Sequence, residues 1–274
     1  MSWTSSARRA AAQAVKATAA GVDVVRRPPR GFVVLLYHRV GGGSGSTVDL
    51  PVELFEQQMA EIGHRVTTLD AALDALAGRT PPTDRDIVVT FDDGTADFAE
   101  QAVPVLARHG VPALVYVATD FIEHGREFPG GAPPMTWSAL RDSVSSGLVT
   151  VGSHTDSHRL FDRIDATIAA RELDRSIDLI GERLSLPVGH FAYPKAQAPS
   201  AEAEAEVRRR FRSAALAGTT ANPYGHTDPY RLSRSPIQVT DGLHWFRRKA
   251  AGGMAVEDTL RRLANRGRYA DAVT

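Results

Sequence analysis

Two adjacent carboxylates close an apolar segment in the run Val88-Val89-Thr90-Phe91-Asp92-Asp93-Gly94. Ile87 to Phe91 carries no charge and three β-branched aliphatics, so it reads as a strand buried on both faces. Neighbouring carboxylates at its tip repel, and without a cation or a shared proton one of them would be driven towards neutrality. Gly94 allows a turn with positive φ or the close approach of another group. The plain alternative is that the acids only end the strand and cap a following helix, which turn chemistry explains as well. A second segment shifts that balance. Val149-Thr150-Val151-Gly152-Ser153-His154-Thr155-Asp156-Ser157-His158 is another apolar run passing into polar residues, now with two histidines four apart. On a helical turn this spacing puts both imidazoles on one side, as a single cation requires. Joined to an acid at another strand's end, the pair makes a two-histidine, one-carboxylate set with open coordination positions.

The elements that must position these groups alternate along the chain. Phe32 to Tyr37 reads as a buried strand with His38 at its exit, the topological position that Asp92 and Asp93 occupy; a histidine bonded to a core carbonyl is the plainer reading there. Pro51 to Ile62 and Leu69 to Leu76 have helical apolar spacing and are expected in a barrel wall. Asp97 to Arg108 is expected to be helical with Pro104 as an irregularity, and Gly110 as its stop. Pro112 to Val117 is a further buried strand, and residues 121 to 135, rich in glycine and proline, form an irregular loop beside the site. Trp137 opens a helix to Val144, with a core role as the alternative to substrate contact. Ile164 to Leu184 is a long amphipathic wall helix, and strands follow at Phe191 to Pro194 and near Ala214 to Ala217. This alternation implies parallel strands in an α/β layer structure.

Thr90-Phe91-Asp92-Asp93-Gly94, then Ser153-His154-Thr155 with His158, then Phe191-Ala192-Tyr193-Pro194, resemble in this order the successive motifs of the polysaccharide deacetylases, the NodB-homology carbohydrate esterases. Leu35-Leu36-Tyr37-His38-Arg39-Val40 is similar to the first strand of the branch with a Tyr-His-Arg-Val signature, and Met135-Thr136-Trp137 to the segment before the histidine motif. The resemblance spans roughly residues 31 to 239. It implies a distorted, incomplete (β/α) barrel with about seven parallel strands that uses one divalent metal, most simply Zn2+ with Co2+, Ni2+ or Fe2+ as alternatives, to remove acetyl groups from sugars. It further implies Asp93, His154 and His158 as metal ligands and Asp92 as general base, an order the residues alone leave open. The Tyr193 backbone N–H becomes an oxyanion donor aimed by Pro194, and Trp137 a substrate contact. Two departures stand out. No arginine occurs shortly before the Tyr-Pro pair, and the late leucine-x-histidine motif that supplies the family's general acid has no clean match, His226 and His244 lying near it without fitting. His38 is the fallback acid.

Composition sets outer limits. At 274 residues the chain suits a single barrel domain. The expected division is an N-terminal helical extension and basic linker over 1–29, the deacetylase domain over 30–240, and a C-terminal helical extension over 241–274. Basic and acidic residues balance at 32 each, which gives no reason to expect nucleic acid. With no cysteine, any metal must be held by nitrogen and oxygen. No run approaches the roughly 18 to 20 apolar residues that span a bilayer. Arg8-Arg9 before an alanine-rich stretch imitates a twin-arginine export signal, but Gln13 and Lys16 interrupt it, so a cytoplasmic enzyme is expected. Basic helical material at the two ends, including Lys16, Arg247, Arg248 and Lys249 beside Trp245 and Phe246, could lie on an anionic membrane face. The expected substrate is an N-acetylated sugar, glycan or lipid-linked sugar. An O-acetyl esterase, a deformylase on a lipid-linked amino sugar, a non-haem iron oxygenase and an inactive carbohydrate-binding module are the alternatives. Asp93 lies far upstream of His154, which counts against the oxygenase, and the intact set of Asp92, Asp93, His154 and His158 counts against the inactive module.

Overall fold

The computed structural model describes residues 13–21 and 28–257. Seven strands form one curled parallel sheet: β1 Gly31–Tyr37, β2 Ile87–Phe91, β3 Ala113–Val117, β4 Val149–Ser153, β5 His190–Ala192, β6 Ser213–Ala215 and β7 Arg234–Pro236, in spatial order β7-β1-β2-β3-β4-β5-β6. Register pairs Val34 with Val88 and Tyr37 with Phe91, so the ends of β1 and β2 lie level and His38 emerges beside Asp92. The outer edges touch through a single parallel bridge, Ala215 to Leu232, and hydrogen bonds from Leu216 N to Leu232 O (2.8 Å) and Gly218 N to Arg234 O (2.8 Å). β4 and β5 pair only at Ser153 and Phe191. The barrel is therefore the distorted one expected, its weakest joints lying around β5 to β7.

Period-two alternation sorts the strand side chains. Val34, Val88, Leu114, Ala192 and Ala215 point inward, while Leu35, Val89 and Val115 join the outer core under the helices. Those helices are α1 Val52–Ile62, α3 Val103–His109, α5 Trp137–Ser145, α6 Ala166–Leu184 and α7 Ala201–Arg210, with the short α4 Thr119–His124 after β3. Helix α2, Leu69–Leu76, is not the wall element expected: its Leu69, Ala72, Leu73 and Leu76 pack on the inward-facing residues and plug the barrel at the strand starts. The irregularity at Pro104 also takes definite form. Pro104 has no N–H to give to Glu100, and the preceding turn, Phe98–Ala102, opens into a π-helix before α3 begins.

Helix α8, Gly242–Ala250, belongs to the core, since Phe246 and Ala250 pack in the outer cluster. Residues 13–21 are helical and lie against it, with Ala19 and Ala20 on Met254. Lys16 and Lys249 both bond the buried Asp241 carboxylate, and Lys249 also donates to Pro236 O at 2.8 Å. This corrects the membrane-face reading for these residues. Both ammonium groups are buried in an ion cluster, Phe246 is in the core, Trp245 Nε1 donates to Gln13, and Arg247 pairs with Glu61. Arg8, Arg9, Arg26, Arg27, Leu260, Arg261, Arg262 and Arg266 lie outside the described residues. Among the described residues no helix is long and apolar enough to cross a membrane.

Candidate active site

At the C-terminal ends of β1, β2 and β4 the chain turns into the candidate site. Asp93 (φ 76°), Thr155 (φ 69°) and His158 (φ 60°) all adopt the left-handed region, which costs a non-glycine residue on the order of 1 kcal/mol or more. Gly94 takes φ 92°, and a Cβ there would meet Val117 Cγ1 at 3.0 Å, so both sequence reasons for glycine hold. Backbone bonds fix these turns: Asp92 N donates to Tyr37 O (3.0 Å), Ala118 N to Asp93 O (3.1 Å) and His154 N to Val117 O (2.9 Å).

The result is a convergence of donors from two loops. One ligand atom each from Asp93, His154 and His158 lies within 4.8 Å of the others. His158 Nε2 is 3.4 Å and His154 Nε2 3.6 Å from Asp93 Oδ1. His154 Nδ1 lies 2.8 Å from the Ala192 carbonyl, an acceptor, so Nδ1 carries the proton and Nε2 presents a lone pair to the cluster. Burial pushes the His154 imidazole down to about 4, which keeps it neutral at ordinary pH, as a metal ligand must be. Burial alone would raise the Asp93 carboxyl, but the hydrogen bond to His158 and the neighbouring histidines hold it well below the usual range. The donor set therefore fits a divalent cation of the nitrogen-and-oxygen class.

Asp92 has a different partner, which the sequence reading missed. Arg234, fully buried on β7, donates through Nη1 to Asp92 Oδ1 (2.5 Å) and through Nη2 to Oδ2 (2.9 Å), and its Nε is held by Leu216 O (3.1 Å). Its guanidinium also lies 5.2 Å from the Tyr116 ring centroid. Burial pushes the Asp92 carboxyl up, yet Arg234 and His154 outweigh it and the group ends below its ordinary value. The guanidinium that pairs Asp92 thus comes from far along the chain, on β7. One signal was available: Arg234 stands in Arg231-Leu232-Ser233-Arg234-Ser235-Pro236-Ile237, a stretch at the end of the family resemblance.

His38 does join the cluster. It lies close enough to act electrostatically on both Asp92 and Asp93, and among the described residues its buried Nδ1 has no hydrogen-bond partner. Tyr193 departs from expectation. Its N–H donates to Ala215 O at 3.1 Å within the sheet, and its ring is buried in an aromatic cluster with Phe161 and Phe191, so this group is not free to receive an oxyanion. Pro194 is buried beside it. Trp137 also differs: its indole N–H donates to Glu123 (2.8 Å), which Arg183 pairs as well, and its ring packs on the outer core, binding it to the wall. His226 and His244 are exposed.

Residues 79–212 match the family model described as polysaccharide deacetylase, a span holding Asp92, Asp93, His154 and His158 but neither His38 nor Arg234. The Bacillus subtilis (strain 168) protein YxkH, whose name places it provisionally among polysaccharide deacetylases, is 26% identical over 133 residues, 47% of this chain and 44% of its own length. Poly-beta-1,6-N-acetyl-D-glucosamine N-deacetylase of Escherichia coli (strain K12) is 26% identical over 145 residues, covering 48% of this chain and 22% of the relative. The chain thus spans less than half the length of these curated relatives. Among solved structures, IcaB from Ammonifex degensii superposes with a TM-score of 0.70 at 26% identity, over 80% of this chain and 97% of that one. The Streptococcus pyogenes deacetylase PplD shares the fold, with a TM-score of 0.69 at 19% identity over 80% of this chain and 98% of that one. A family match centred on the acid and histidine motifs, on a barrel common to these solved proteins, carries the classification: residues 79–212 match the polysaccharide deacetylase family.

Proposed function

We propose that this protein is a metal-dependent deacetylase that removes N-acetyl groups from an N-acetylated glycan, with β-1,6-linked N-acetylglucosamine oligomers as the first substrate to try. The observation that carries the reading is the convergence of Asp93, His154 and His158 beside an Asp92 held ionised by Arg234. Asp93, His154 and His158 would hold one divalent ion, zinc by preference. When bound, such an ion lowers the pKa of water and polarises the acetyl carbonyl.

The remaining steps belong to the chain. Asp92, its two oxygens fixed by the Arg234 fork, takes a proton from the water that attacks the acetyl carbon. A carboxylate has about four lone-pair sites, so the two guanidinium bonds leave acceptor capacity free. His38 faces the same cluster and returns a proton to the amine nitrogen as its bond to the acyl carbon breaks, giving acetate and a free amino sugar. Arg234 keeps Asp92 charged before the water arrives. Support from relatives is of the same kind, since one of them is named for N-deacetylation of poly-β-1,6-N-acetylglucosamine.

The deciding assay is acetate release from N-acetylated glucosamine oligomers with and without added zinc, against O-acetylated xylan. Release from the oligomers that a chelator abolishes and zinc restores is the expected result. Release from xylan alone would make the protein an esterase. For placement we keep the cytoplasm; finding the mature chain outside the cell after fractionation would overturn that.

A further inference from the structure

The short segment that separates the two histidines does not hold itself. Thr155 and His158 both adopt left-handed backbone, and the bond within the segment's own neighbourhood is Thr155 N to Ser153 Oγ at 3.2 Å. Two outside elements grip it from opposite sides. From α4, Thr119 N donates to Thr155 O (3.3 Å), Asp120 N to Asp156 O (3.0 Å), and the fully buried Thr119 hydroxyl to Asp156 Oδ1 (2.7 Å). From α6, the buried Glu172 carboxylate accepts the Ser157 N–H on Oε2 and the Ser157 hydroxyl on Oε1, each at 2.8 Å. Ser157 directly precedes His158, so both donors of that residue are pinned to a helix. Among the described residues the cation that pairs with Glu172, Arg159, stands farther off, with Nε 3.9 Å from Oε1.

Charge-assisted bonds from a buried carboxylate to a backbone N–H are among the stronger and more directional contacts available. Placed on the residue beside a ligand, such a contact fixes where the ligand's ring can point. The same holds for Thr119, which grips the two residues that follow His154. We infer that Thr119 and Glu172 are positioning residues that set the separation and direction of the His154 and His158 imidazoles. This rests on the reading of Asp93, His154 and His158 as a metal site. Neither residue touches the cluster; each acts through the loop. Outer partners of this kind commonly alter metal affinity by roughly 10- to 100-fold.

The test uses the full chain and reads the metal itself. Zinc affinity is measured by competition with a chromogenic chelator, and the cobalt-loaded protein by its visible absorption. Glu172→Ala and Thr119→Val are expected to weaken zinc binding about tenfold or more and to shift the cobalt bands. Glu172→Gln, which keeps an acceptor oxygen, should recover part of the loss, and Ser157→Ala, which removes only the hydroxyl, should show a smaller one. Folded Glu172→Ala and Thr119→Val proteins with native affinity and native cobalt spectra would overturn the inference. If those two do not fold, native affinity in both Glu172→Gln and Ser157→Ala overturns it instead. A native chain that binds neither zinc nor cobalt overturns the metal reading, a result distinct from a native chain that binds while the variants are indifferent.

Discussion

Arg234→Met removes the charge that pairs Asp92 through two hydrogen bonds, at 2.5 and 2.9 Å, while keeping most of the side chain's volume. Asp92 is 3% exposed, so an ionised carboxylate would be left without water or guanidinium. Breaking a buried pair in this way costs about 3 to 5 kcal/mol. A carboxyl under that penalty takes up a proton instead. At about 1.4 kcal/mol per pKa unit, a cost of about 3 kcal/mol corresponds to a rise of about two units. In the native chain the Asp92 pKa lies below its unfolded value, so its stabilising contribution is complete above about pH 4 and is lost as pH falls through the lower folded value. In the variant the sign reverses, and the deficit grows as pH rises through the raised pKa. Urea unfolding at pH 5 and pH 8 should therefore give a larger difference from native at pH 8. The acidic limb of kcat/KM should move up by about two units, costing tenfold per unit below it, with metal content unchanged. Arg234→Lys restores a charge without the planar fork and should fall between. A variant with the native acidic limb and native stability at pH 8 would refute the assignment of Arg234 as the residue that holds Asp92 ionised.

Asp93→Asn should lose metal and activity together, whereas Asp92→Asn should keep metal and lose turnover, as atomic spectroscopy with acetate release would report; equal metal loss in both would reverse the roles. His38→Ala should retain metal and lower kcat by about 10²-fold, the low end of what a lost proton donor costs. Asp241→Asn leaves the buried Lys16 and Lys249 with only the more distant Glu257 carboxylate, its Oε1 at 4.0 and 3.6 Å, and should destabilise the fold by about 3 kcal/mol in urea titration while acetate release per folded molecule stays near native.

The partnership of Lys16 and Lys249 with Asp241 ties the two ends of the described chain together on the barrel wall. Helix 13–21 contributes Lys16, α8 contributes Lys249, and Asp241 ends the turn that follows β7. Both helices thus depend on the strand that carries Arg234, and loss of either lysine would loosen the wall next to that strand.

Local signals in the sequence were enough to place the strand exits and the chemistry at them. Buried strands such as β2 declare themselves by apolar runs, their ends by Asp92, Asp93 and Gly94, and the paired histidines by their spacing, although the structure carries them on an irregular loop held from α4 and α6 and not on the helical turn expected. The roles of these residues were legible only through their resemblance to a family. What the sequence could not decide is whatever depends on which distant groups meet. Arg234 and Asp92 are 142 positions apart, and nothing local says that β7 lies beside β1 with its guanidinium aimed across the barrel. The same limit explains Tyr193, whose N–H was open to an oxyanion in sequence but is taken by Ala215 once β5 and β6 pair. It explains Lys16 and Lys249, cationic and so expected at a surface, yet buried where Asp241 compensates them. Helix α2 has the amphipathic pattern of a wall helix, and only closure of the sheet determines that its apolar face fills the barrel's end. Periodicity and turn chemistry act over a few residues and are written in order along the chain; pairing of buried charges and closure of a sheet are long-range, and tertiary packing alone selects among the partners.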